Sequence, residues 1–353
     1  MISISVCMIV KNEEDVLARC LDCAKQIADE IIIVDTGSSD TTKQIAKEYT
    51  ANVYDFSWCE DFSKARNYSF SKATKDYCMW LDADDIILDE DIRKFQALKQ
   101  SMNGTEDIVM MKYHTGFDEQ GIPVFSYYRE RLIKNDRTHV WEGVIHEVIS
   151  LRGNIRYEEI AITHRKVHVA DPKRNMRIFE NLIARGVALS PREQFYYARE
   201  LYYHQRYEDS YAMFETFLKG KQGWIENNID ACQMMGYCAY FMGQEEHALE
   251  CFFKSFLYDT PRAELCCDIG KHFFDREHYK QAIFWYECAL TAKRNDHSGA
   301  FVRGDCYGYI PSLQLCVCWW RLGDKDKAKE YNEKAGQYKP ASKEVEKNRE
   351  LFL

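Results

Sequence analysis

Short apolar runs alternate with amphipathic stretches over the first part of the chain. The runs ISISVCMIV, EIIIVD, NVYDF and DYCMWLD have the length and apolar content of strands in a buried sheet. Between them lie EEDVLARCLDCAKQIA, TTKQIAKEY and DFSKARNYSFSKA, whose patterns are those of helices. This order predicts an α/β fold with a largely parallel sheet and helices on both faces. Ligands of such sheets bind at the carboxyl ends of the strands, where Asp35 and Asp82 stand.

From about Pro191 onward the pattern predicts helices alone. The segments YYHQRYEDSYAMF, YFMGQEEHALECF, FFDREHYKQAIFWYECAL and WWRLGDKDKAKEYNEKA align on one alanine each: Ala212, Ala248, Ala282 and Ala328. These alanines are 36, 34 and 46 residues apart, and the excess of the last step falls in RNDHSGAFVRGDC. The spacing resembles the tetratricopeptide repeat, in which a pair of helices forms each unit of about 34 residues. We therefore expect an all-α solenoid in which each unit buries its face on the next.

The composition narrows the function classes. Of the 353 residues, 46% are hydrophobic and 29% are charged, which is typical of a soluble globular protein. The formal net charge of −9 argues against nucleic acid or an anionic membrane as the general partner. No apolar run has the roughly 18 residues of a membrane span, and the start of the chain predicts a strand and no signal peptide. The 14 scattered cysteines, including Cys20 and Cys23 in a predicted helix, favour reduced thiols in a cytoplasmic protein.

An acidic turn follows the fourth apolar run, in the sequence LDADD from Leu81 to Asp85. Such a cluster could bind a divalent cation, act as an acid/base pair or simply face water. The preceding buried strand disfavours a simple water-facing loop, and Mg²⁺ or Mn²⁺ prefers oxygen ligands that it shares with substrate phosphates. The sequence contains no GxxxxGK[ST] motif and no GxGxxG after a strand, so a P-loop or a dinucleotide fold is not expected.

Four segments together resemble the family-two glycosyltransferases with a GT-A fold: SVCMIVKNEEDVLARCL, DEIIIVDTGSSDTT, DFSKARNYSFSKAT and YCMWLDADD. The later WEGVIHEVI and IAITHR resemble the subgroup in which tetratricopeptide repeats follow, which includes the sublancin-type peptide S-glycosyltransferases. The resemblance implies an α/β GT-A domain, a Rossmann-like nucleotide-sugar-binding fold. We expect this domain at residues 1–168, a linking helix region at 169–190, repeats at 191–340 and a tail at 341–353.

The resemblance also implies roles for single residues. Donor nucleotide binding is implied for a set of six residues: Val10, Asn12, Glu13, Asp35, Arg66 and Asp82. Asp84 is implied as a direct ligand of Mn²⁺ or Mg²⁺, and Asp85 and Trp141 as contacts of the sugar or the acceptor. His164, at the end of an alternating apolar strand, is either a further metal ligand or an ordinary strand-end histidine. Arg131 and Lys134 either meet the diphosphate or form a solvated strand end.

The catalytic base stays open between three residues of WEGVIHE, which are Glu142, His146 and Glu147. Alignment with the acidic base of related enzymes favours Glu147. His146 has a suitable unperturbed pKa, but a buried histidine or a substrate contact explains it equally well. If a helix ran from Trp141, Glu142 and His146 would share one face. A thiol acceptor would need a base less, because a free thiol ionises near neutral pH.

The function implied is inverting, metal-dependent sugar transfer from a nucleotide sugar, UDP-linked, to a peptide or protein. The acceptor atom would belong to a Cys or Ser side chain. One alternative is an enzyme acting on a polysaccharide or lipid-linked glycan, and another is a repeat scaffold with an inactive transferase domain. The repeats would serve either acceptor binding, since solenoids present long surfaces, or pairing into a homodimer.

Overall fold

The apolar runs of the first part of the chain form strands, as the sequence predicts. The computed structural model describes residues 1–117, 121, 123–167 and 171–352. The chain folds into two compact units, Met1–Leu189 and Ser190–Leu353. The boundary expected at residues 168 and 169 lies outside the described residues. The four-part division of the chain therefore stays a prediction.

The first unit is built on a mixed β-sheet. Its strands within the described residues are β1 (Ile4–Val10), β2 (Glu30–Asp35), β3 (Val53–Asp55), β4 (Tyr77–Trp80), β5 (Asp85–Ile86), β6 (Ile108–Phe117), β7 (Pro123–Lys134), β8 (Trp141–Glu142), β9 (Val148–Ile149) and β10 (Ile155–His164). Eight of these strands form one sheet in the order β3-β2-β1-β4-β7-β6-β10-β5, and β8 pairs with β9 separately.

The parallel sheet that the sequence predicts is confirmed for β1 to β4. Strand β1 pairs in parallel with β2 on one side and with β4 on the other, and β3 pairs in parallel with β2. Strand β7 then runs antiparallel to both β4 and β6, so the complete sheet is mixed. Since β1, β2 and β4 are parallel, their carboxyl ends meet at one edge. Val10, Asp35 and the acidic turn after Trp80 lie at this edge.

Helices cover both faces of this sheet. Those that contact its strands are α1 (Leu17–Ala24), α2 (Thr42–Tyr49), α3 (Phe62–Lys72) and α4 (Asp89–Ser101), and α5 (Arg174–Ala184) follows the last strand in sequence. Successive β1 residues point to opposite faces: Val6 and Met8 join the core under α1 and α4, while Cys7 joins a second core with Trp80. Helix α3 begins at an N-cap, Asp61, whose carboxylate accepts the Lys64 N–H at 3.0 Å.

The second unit consists of helices, as the sequence predicts. They are α6 (Pro191–Tyr203), α7 (Tyr207–Gly220), α8 (Ile225–Phe241), α9 (Glu245–Lys254), α10 (Ala263–Asp275), α11 (Tyr279–Thr291), α12 (Tyr309–Arg321), α13 (Lys325–Tyr338) and α14 (Lys343–Leu351). Helices α6 to α13 form four consecutive pairs. A 3₁₀ turn, Ser255–Leu257, lies between the second and third pairs, and another, Gly304–Tyr307, lies in the longer connection between the third and fourth pairs. Helix α14 lies where the sequence predicted a tail, and its Val345 is fully buried.

The alignment of the first repeat on Ala212 is wrong by two residues. Ala248, Ala282 and Ala328 are fully buried, but Ala212 is exposed and Ser210 is buried in its place. The Ser210 hydroxyl donates to the Ala198 carbonyl at 2.8 Å, which lets a polar side chain take the packed position.

The turns inside the four helix pairs support the corrected register. In each pair a residue with positive φ lies five positions before the small buried side chain; these residues are Gln205, Gly243, Glu277 and Gly323. Two of the four are not glycine, so glycine alone could not fix the register. The repeats therefore share a backbone conformation at this turn, positive φ, even where the residue type differs.

Two helical glycines mark close approaches between helices. A Cβ built on Gly236 would lie 2.2 Å from the ring of Phe252, and one on Gly270 would lie 2.8 Å from the ring of Tyr286. Both rings are almost fully buried and so cannot withdraw. The absence of a side chain at these positions therefore permits the packing of α8 on α9 and of α10 on α11. No helix in the described part of the chain is long and apolar enough to cross a membrane.

Candidate active site

Two aspartates of the acidic turn are each neutralised by an arginine. Arg66 Nη2 donates to Asp82 Oδ1 at 2.8 Å, and Arg131 Nη1 donates to Asp85 Oδ2 at 3.1 Å. Burial opposes the ionisation of Asp82, but the charges of Arg66 and Arg131 outweigh it and hold its pKa below the usual value. Adjacent carboxylates are thus tolerated because the two cations come from elsewhere in the fold.

The third aspartate, Asp84, faces a histidine. His164 Nδ1 lies 3.2 Å from Asp84 Oδ1 and 3.4 Å from Asp85 Oδ1. Hydrogen bonds to Asp84 and then Asp85 raise the pKa of His164 to about 10, although burial opposes the charge. A proton on this imidazole therefore balances the charge of Asp84, the carboxylate that neither arginine neutralises.

The residues present fit a divalent cation. One ligand atom each from Asp84, Asp85 and His164 lies within 4.8 Å of the others. Carboxylate oxygens are the ligands that Mg²⁺ and Mn²⁺ prefer, and imidazole is a ligand of many divalent transition metals. A divalent cation would compete with the His164 proton for the same charge, because metal ligands must be deprotonated.

A cleft of about 810 Å³ opens at this edge of the sheet. Predicted site residues that line it are Val10, Asn12, Glu13, Arg66, Asp82, Asp84, His146, Glu147 and His164. These residues come from the ends of β1, β4 and β10, from α3 and from the segment after β8. The fold thus brings predicted donor, metal and base candidates to one cavity, while Asp35, Asp85, Trp141 and Glu142 are not among its lining residues.

Asp35 lies just behind the cleft wall and has one unpaired oxygen. Its Oδ1 accepts the N–H groups of Gly37 at 3.0 Å and Ser38 at 2.9 Å, in a turn where Gly37 has φ +107°. Its Oδ2 is buried and has no hydrogen-bond partner within the described residues. The neighbouring Thr36 lines the cleft. A buried carboxylate oxygen without a donor is a position that a ligand N–H or O–H can satisfy.

The loops after β1 and β2 are tied to each other. Asn12 has φ +54°, and its backbone N–H donates to Ser38 Oγ at 3.0 Å. In return Asn12 Oδ1 accepts the Ser39 N–H at 2.8 Å. The Glu13 N–H donates to Thr42 Oγ1 at 2.7 Å, at the start of α2. The cleft side of these loops is therefore held by hydrogen bonds that use the turn TGSS.

Arg66 joins the acidic turn to the candidate base. Besides Asp82, it donates from Nε to Glu147 Oε1 at 2.6 Å. Its guanidinium lies 4.8 Å from the Trp80 ring centre and 5.0 Å from that of Trp141, and only 8% of its side chain is exposed. This arrangement engages the guanidinium with protein carboxylates on both sides.

The segment from Trp141 to Glu147 is not helical, so Glu142 and His146 do not share a helix face. Trp141–Glu142 forms β8, and the chain then bends through Gly143 at φ +92° and His146 at φ +52°. Glu142 is exposed and does not line the cleft, because the strand directs it away, so it is not supported as a base. Trp141 is 2% exposed, packs against Phe70 and Trp80 and does not line the cleft, so its side chain offers almost no surface to a sugar or an acceptor.

The sugar contact predicted for Asp85 is also corrected. Its side chain is fully buried, and besides Arg131 it accepts the Tyr113 hydroxyl at 2.9 Å. Both of its oxygens are thereby engaged with protein groups. Asp85 therefore supports the turn from behind, and of the three residues that fit a cation, Asp84 and His164 are the two that line the cleft.

Several residues of the site were missed or misjudged from the sequence. Arg131 is fully buried, so it neither meets a diphosphate nor forms a solvated strand end. Arg129, two residues earlier, lines the cleft and also stacks on Trp80, 4.9 Å from its ring centre. The register of β7 shifts at Arg131, so strand periodicity in RER gives no signal that both guanidiniums lie on the Trp80 ring. Arg174 and Asn175 of α5 line the cleft too, with no sequence signal to indicate it.

Residues 5–150 match the family model described as Glycosyl transferase family 2. The chain carries a glycosyl transferase family 2 domain. This domain covers the ends of β1 and β4 and the segment after β8, whereas His164 of β10 and Arg174 of α5 lie beyond the matched residues. The α/β fold followed by a tetratricopeptide-type helical unit agrees with the fold class that the sequence predicts.

Among curated relatives, a TPR repeat-containing protein of Synechococcus elongatus is 44% identical over 88 residues, covering 25% of this chain and 22% of the relative. An uncharacterized glycosyltransferase of Rickettsia typhi is 36% identical over 87 residues, covering 25% of this chain and 30% of the relative. The SPbeta prophage-derived glycosyltransferase SunS of Bacillus subtilis is 24% identical over 216 residues, covering 58% of this chain and 50% of the relative. The chain thus spans half or less of the length of these relatives.

Solved structures overlap with parts of the chain. Glucosyl-3-phosphoglycerate synthase from Mycobacterium tuberculosis, in complex with Mn²⁺ and UDP-glucose, has a TM-score of 0.36 at 15% identity. It covers 54% of this chain and 81% of its own. The pilF protein of Pseudomonas aeruginosa has a TM-score of 0.37 at 19% identity, covering 50% of this chain and 73% of its own.

Proposed function

We propose that this chain transfers a sugar from a nucleotide-sugar donor, UDP-linked, to an acceptor nucleophile with inversion at the anomeric carbon. The observation that carries the proposal is the acidic turn in the cleft of a glycosyl transferase family 2 domain. There Asp82 and Asp85 have arginine partners, while Asp84 is paired with His164 instead. Asp84 and His164 are therefore the groups left to meet a cation.

The donor nucleotide is proposed to lie along the loops after β1 and β2. Asp35 Oδ2 is the buried acceptor without a partner, and it suits an N–H or O–H of the nucleoside. Asn12 and Glu13 line the same side of the cleft. Because Asp35 Oδ1 is fixed by two backbone N–H groups, its second oxygen is held in place before the ligand arrives.

The proposed cofactor is Mn²⁺ or Mg²⁺, held by Asp84 and His164. When bound, such a cation offsets the charge of the leaving nucleoside diphosphate. Asp82 lies beside these residues with its charge balanced by Arg66, so it can approach the donor without repelling its phosphates. In this arrangement the nucleoside of the donor lies at Asp35, and its diphosphate lies at the cation held by Asp84 and His164.

The base is proposed to be Glu147, with His146 as the alternative. Both line the cleft, and the ion pair with Arg66 orients the Glu147 carboxylate. In an inverting transfer, the base removes the acceptor proton as the nucleophile attacks the anomeric carbon and the nucleoside diphosphate leaves. An acceptor thiol that is already ionised would lower the demand on this base.

The acceptor is proposed to be a peptide or protein, with a Cys or Ser side chain as the nucleophile. Support comes from the repeat unit, since solenoids of helix pairs present extended surfaces to chains. WEGVIHEVI and IAITHR resemble the repeat-bearing subgroup that includes the peptide S-glycosyltransferases, which points in the same direction.

The test is a panel of UDP- and GDP-sugars incubated with the full chain and Mn²⁺ or Mg²⁺. We expect hydrolysis and thermal stabilisation with UDP-sugars, both lost with EDTA. Peptides that differ by one Cys-to-Ser replacement then report the acceptor atom by mass spectrometry. If no nucleotide sugar is hydrolysed or stabilises the protein, the chain is a repeat scaffold with an inactive domain. If hydrolysis occurs but only glycans accept the sugar, the peptide acceptor is wrong.

A further inference from the structure

Arg131 is buried beneath the acidic turn. It lies on β7 with no exposed side-chain surface, and its guanidinium carbon is 3.6 Å from the Trp80 ring centre and 4.2 Å from that of Tyr113. Unlike Arg129, which also lies over the Trp80 ring, it is not among the residues that line the cleft. It can therefore influence a ligand through its neighbours and not by direct contact.

The bonds of Arg131 converge on the acidic turn. Nη1 donates to the Trp80 carbonyl and to Asp85 Oδ2, both at 3.1 Å. Its Nε and Nη2 are buried without partners within the described residues. Apolar residues of similar volume often replace a buried ion pair without loss of stability. Stability alone therefore explains poorly why an arginine with two unpaired nitrogens stands here.

Asp85 links Arg131 to the backbone of the acidic turn. Its Oδ2 also accepts the Asp82 N–H at 3.1 Å, and its own N–H donates to the Asp82 carbonyl at 3.0 Å. These two bonds close the turn that contains Asp84. The Asp85 carboxylate thus fixes the backbone on which Asp84 stands.

Asp85 also reaches His164. Its Oδ1 accepts the hydroxyl of Tyr113, and that hydroxyl lies 3.0 Å from His164 Nδ1. One carboxylate therefore contacts the turn that carries Asp84 and the tyrosine that contacts His164. Arg131 holds this carboxylate from the side opposite the cleft.

We propose that Arg131 is a positioning residue of the metal site, which sets the spacing of Asp84 and His164 by holding Asp85. The inference rests on the proposed function, in which Asp84 and His164 bind a divalent cation. Arg131 touches neither of them, so its effect passes through Asp85. The consequence is that the affinity for the metal depends on a residue outside the cleft.

The test measures Mn²⁺ binding to the full chain by the electron paramagnetic resonance signal of free Mn²⁺, without donor or acceptor. Arg131→Met keeps a side chain of similar volume and removes the charge and the planar guanidinium group. We expect its dissociation constant for Mn²⁺ to rise about 10- to 100-fold, as for other groups that orient metal ligands. A role in packing alone predicts a lower melting temperature with unchanged Mn²⁺ binding.

Arg156→Met is the matched control for Mn²⁺ binding. Arg156 also lies on the sheet of the first unit, but it pairs with Glu106 and Glu158 rather than with a residue of the acidic turn, and it does not line the cleft. We expect this variant to bind Mn²⁺ within about threefold of the unmodified chain. An equal loss in both variants would mean that removing any paired arginine of the sheet weakens binding, and the specific role of Arg131 would be wrong.

A double-mutant cycle with Asp85→Asn tests the route of the effect. If Arg131 acts through Asp85, the double variant loses no more Mn²⁺ affinity than Asp85→Asn alone. Losses that multiply would show two independent effects and contradict the proposal. If Arg131→Met does not unfold cooperatively, Arg131→Lys decides, because it keeps the charge but lacks the planar fork. A folded Arg131→Lys variant with unchanged Mn²⁺ affinity overturns the inference.

Metal binding by the chain and the positioning role of Arg131 can be refuted separately. If the unmodified chain binds no Mn²⁺ or Mg²⁺, the metal dependence in the proposed function is wrong. If it binds Mn²⁺ and the Arg131 variants bind equally well, the proposed function stands and the positioning role is wrong.

Discussion

Arg66 Nε donates to Glu147 Oε1 at 2.6 Å, across 81 residues of sequence. The same guanidinium binds Asp82, so one arginine joins the acidic turn to the candidate base. Burial opposes its charge, but Asp82 and Glu147 outweigh this and raise the pKa of Arg66 above its usual value. The guanidinium thus stays charged and couples the donor side of the cleft to the side that would meet the acceptor.

This pair allows the base to be tested with little disturbance. Glu147→Gln keeps the shape of the side chain and an oxygen for Arg66 but cannot take a proton. We expect sugar transfer to a Ser peptide to fall about 10²- to 10⁴-fold, the usual contribution of a general base. Binding of UDP, measured by calorimetry, should change little because Glu147 is not assigned to the donor.

His146→Gln is the competing variant. If His146 is the base, this change causes the larger loss and Glu147→Gln the smaller one. With a Cys peptide both losses should shrink as pH rises past the thiol pKa, because the thiolate needs no base. If both variants are as active on the Ser peptide as the unmodified chain, neither residue is the base.

A second prediction concerns the metal. Asp84→Asn removes the charge that is paired with His164, and we expect Mn²⁺-dependent hydrolysis of a UDP-sugar to fall at least about a hundredfold. Asp89→Asn is the control, since this exposed carboxylate lies five residues on, in the first turn of α4. Steady-state hydrolysis with and without EDTA measures both. Full activity of Asp84→Asn would remove this aspartate from the metal site.

A third prediction separates the nucleoside from the metal. Asp35→Asn can keep the Oδ1 bonds to Gly37 and Ser38, but it places an NH₂ group where the unpaired Oδ2 stands. Loss of a hydrogen bond to a charged group, about 1.5–3 kcal/mol, should weaken UDP binding about 10- to 100-fold even in EDTA. Asp84→Asn should leave UDP binding in EDTA unchanged. Calorimetric titration that finds equal affinities for Asp35→Asn and the unmodified chain would contradict the assignment.

The acidic turn shows how far the sequence could predict the site. An apolar run ending in three carboxylates indicates a strand end with charge to balance, and parallel strands bring Asp35 to the same edge. The cations come from distant segments: Arg131 follows Asp85 by 46 residues. Strand periodicity identifies neither the face nor the neighbour of Arg131, because the register of β7 shifts at this residue and only the sheet order places β7 beside β4.

Two other differences between the predicted and the observed structure also have local causes. The segment after Trp141 depends on positive φ at Gly143 and at His146, and a histidine gives no sequence signal of that conformation. The repeat alignment slipped because Ala212 resembles the packed alanines, whereas Ser210 satisfies its hydroxyl on Ala198 and packs in their place. Where tertiary hydrogen bonds decide, residue type alone misleads.

A fourth prediction tests the repeat packing. Gly236→Ala should destabilise the protein by about 1–3 kcal/mol, because the new methyl group overlaps the buried ring of Phe252. Gly220→Ala is the control, since Gly220 is also helical and no atom lies within 4 Å of its built Cβ. That change should be neutral or stabilise by up to about 1 kcal/mol. Urea unfolding measures both, and equal stabilities would contradict the close approach of α8 and α9.

The last prediction concerns the division of work between the two units. All predicted donor and metal residues lie in the first unit, whereas the second unit has a cavity of its own. That cavity is lined by Trp224, Asp230, Arg262, Glu264 and Phe301, among others. Trp224 is 47% exposed, and exposed tryptophans beside charged groups often dominate the energetics of protein interfaces. We expect this cavity to contribute to the choice of a peptide acceptor.

Trp224→Ala should therefore raise the KM for a peptide acceptor about 30-fold, as expected for the loss of about 2 kcal/mol of contact. Hydrolysis of the UDP-sugar should stay unchanged, because binding energy from remote parts of an acceptor affects its transfer and not the donor alone. Phe284→Ala is the control: its ring is 57% exposed but does not line the cavity. If Trp224→Ala and Phe284→Ala both leave KM and transfer rate unchanged, this cavity does not bind the acceptor. Sedimentation of the unmodified chain would then decide whether the repeats form a homodimer instead.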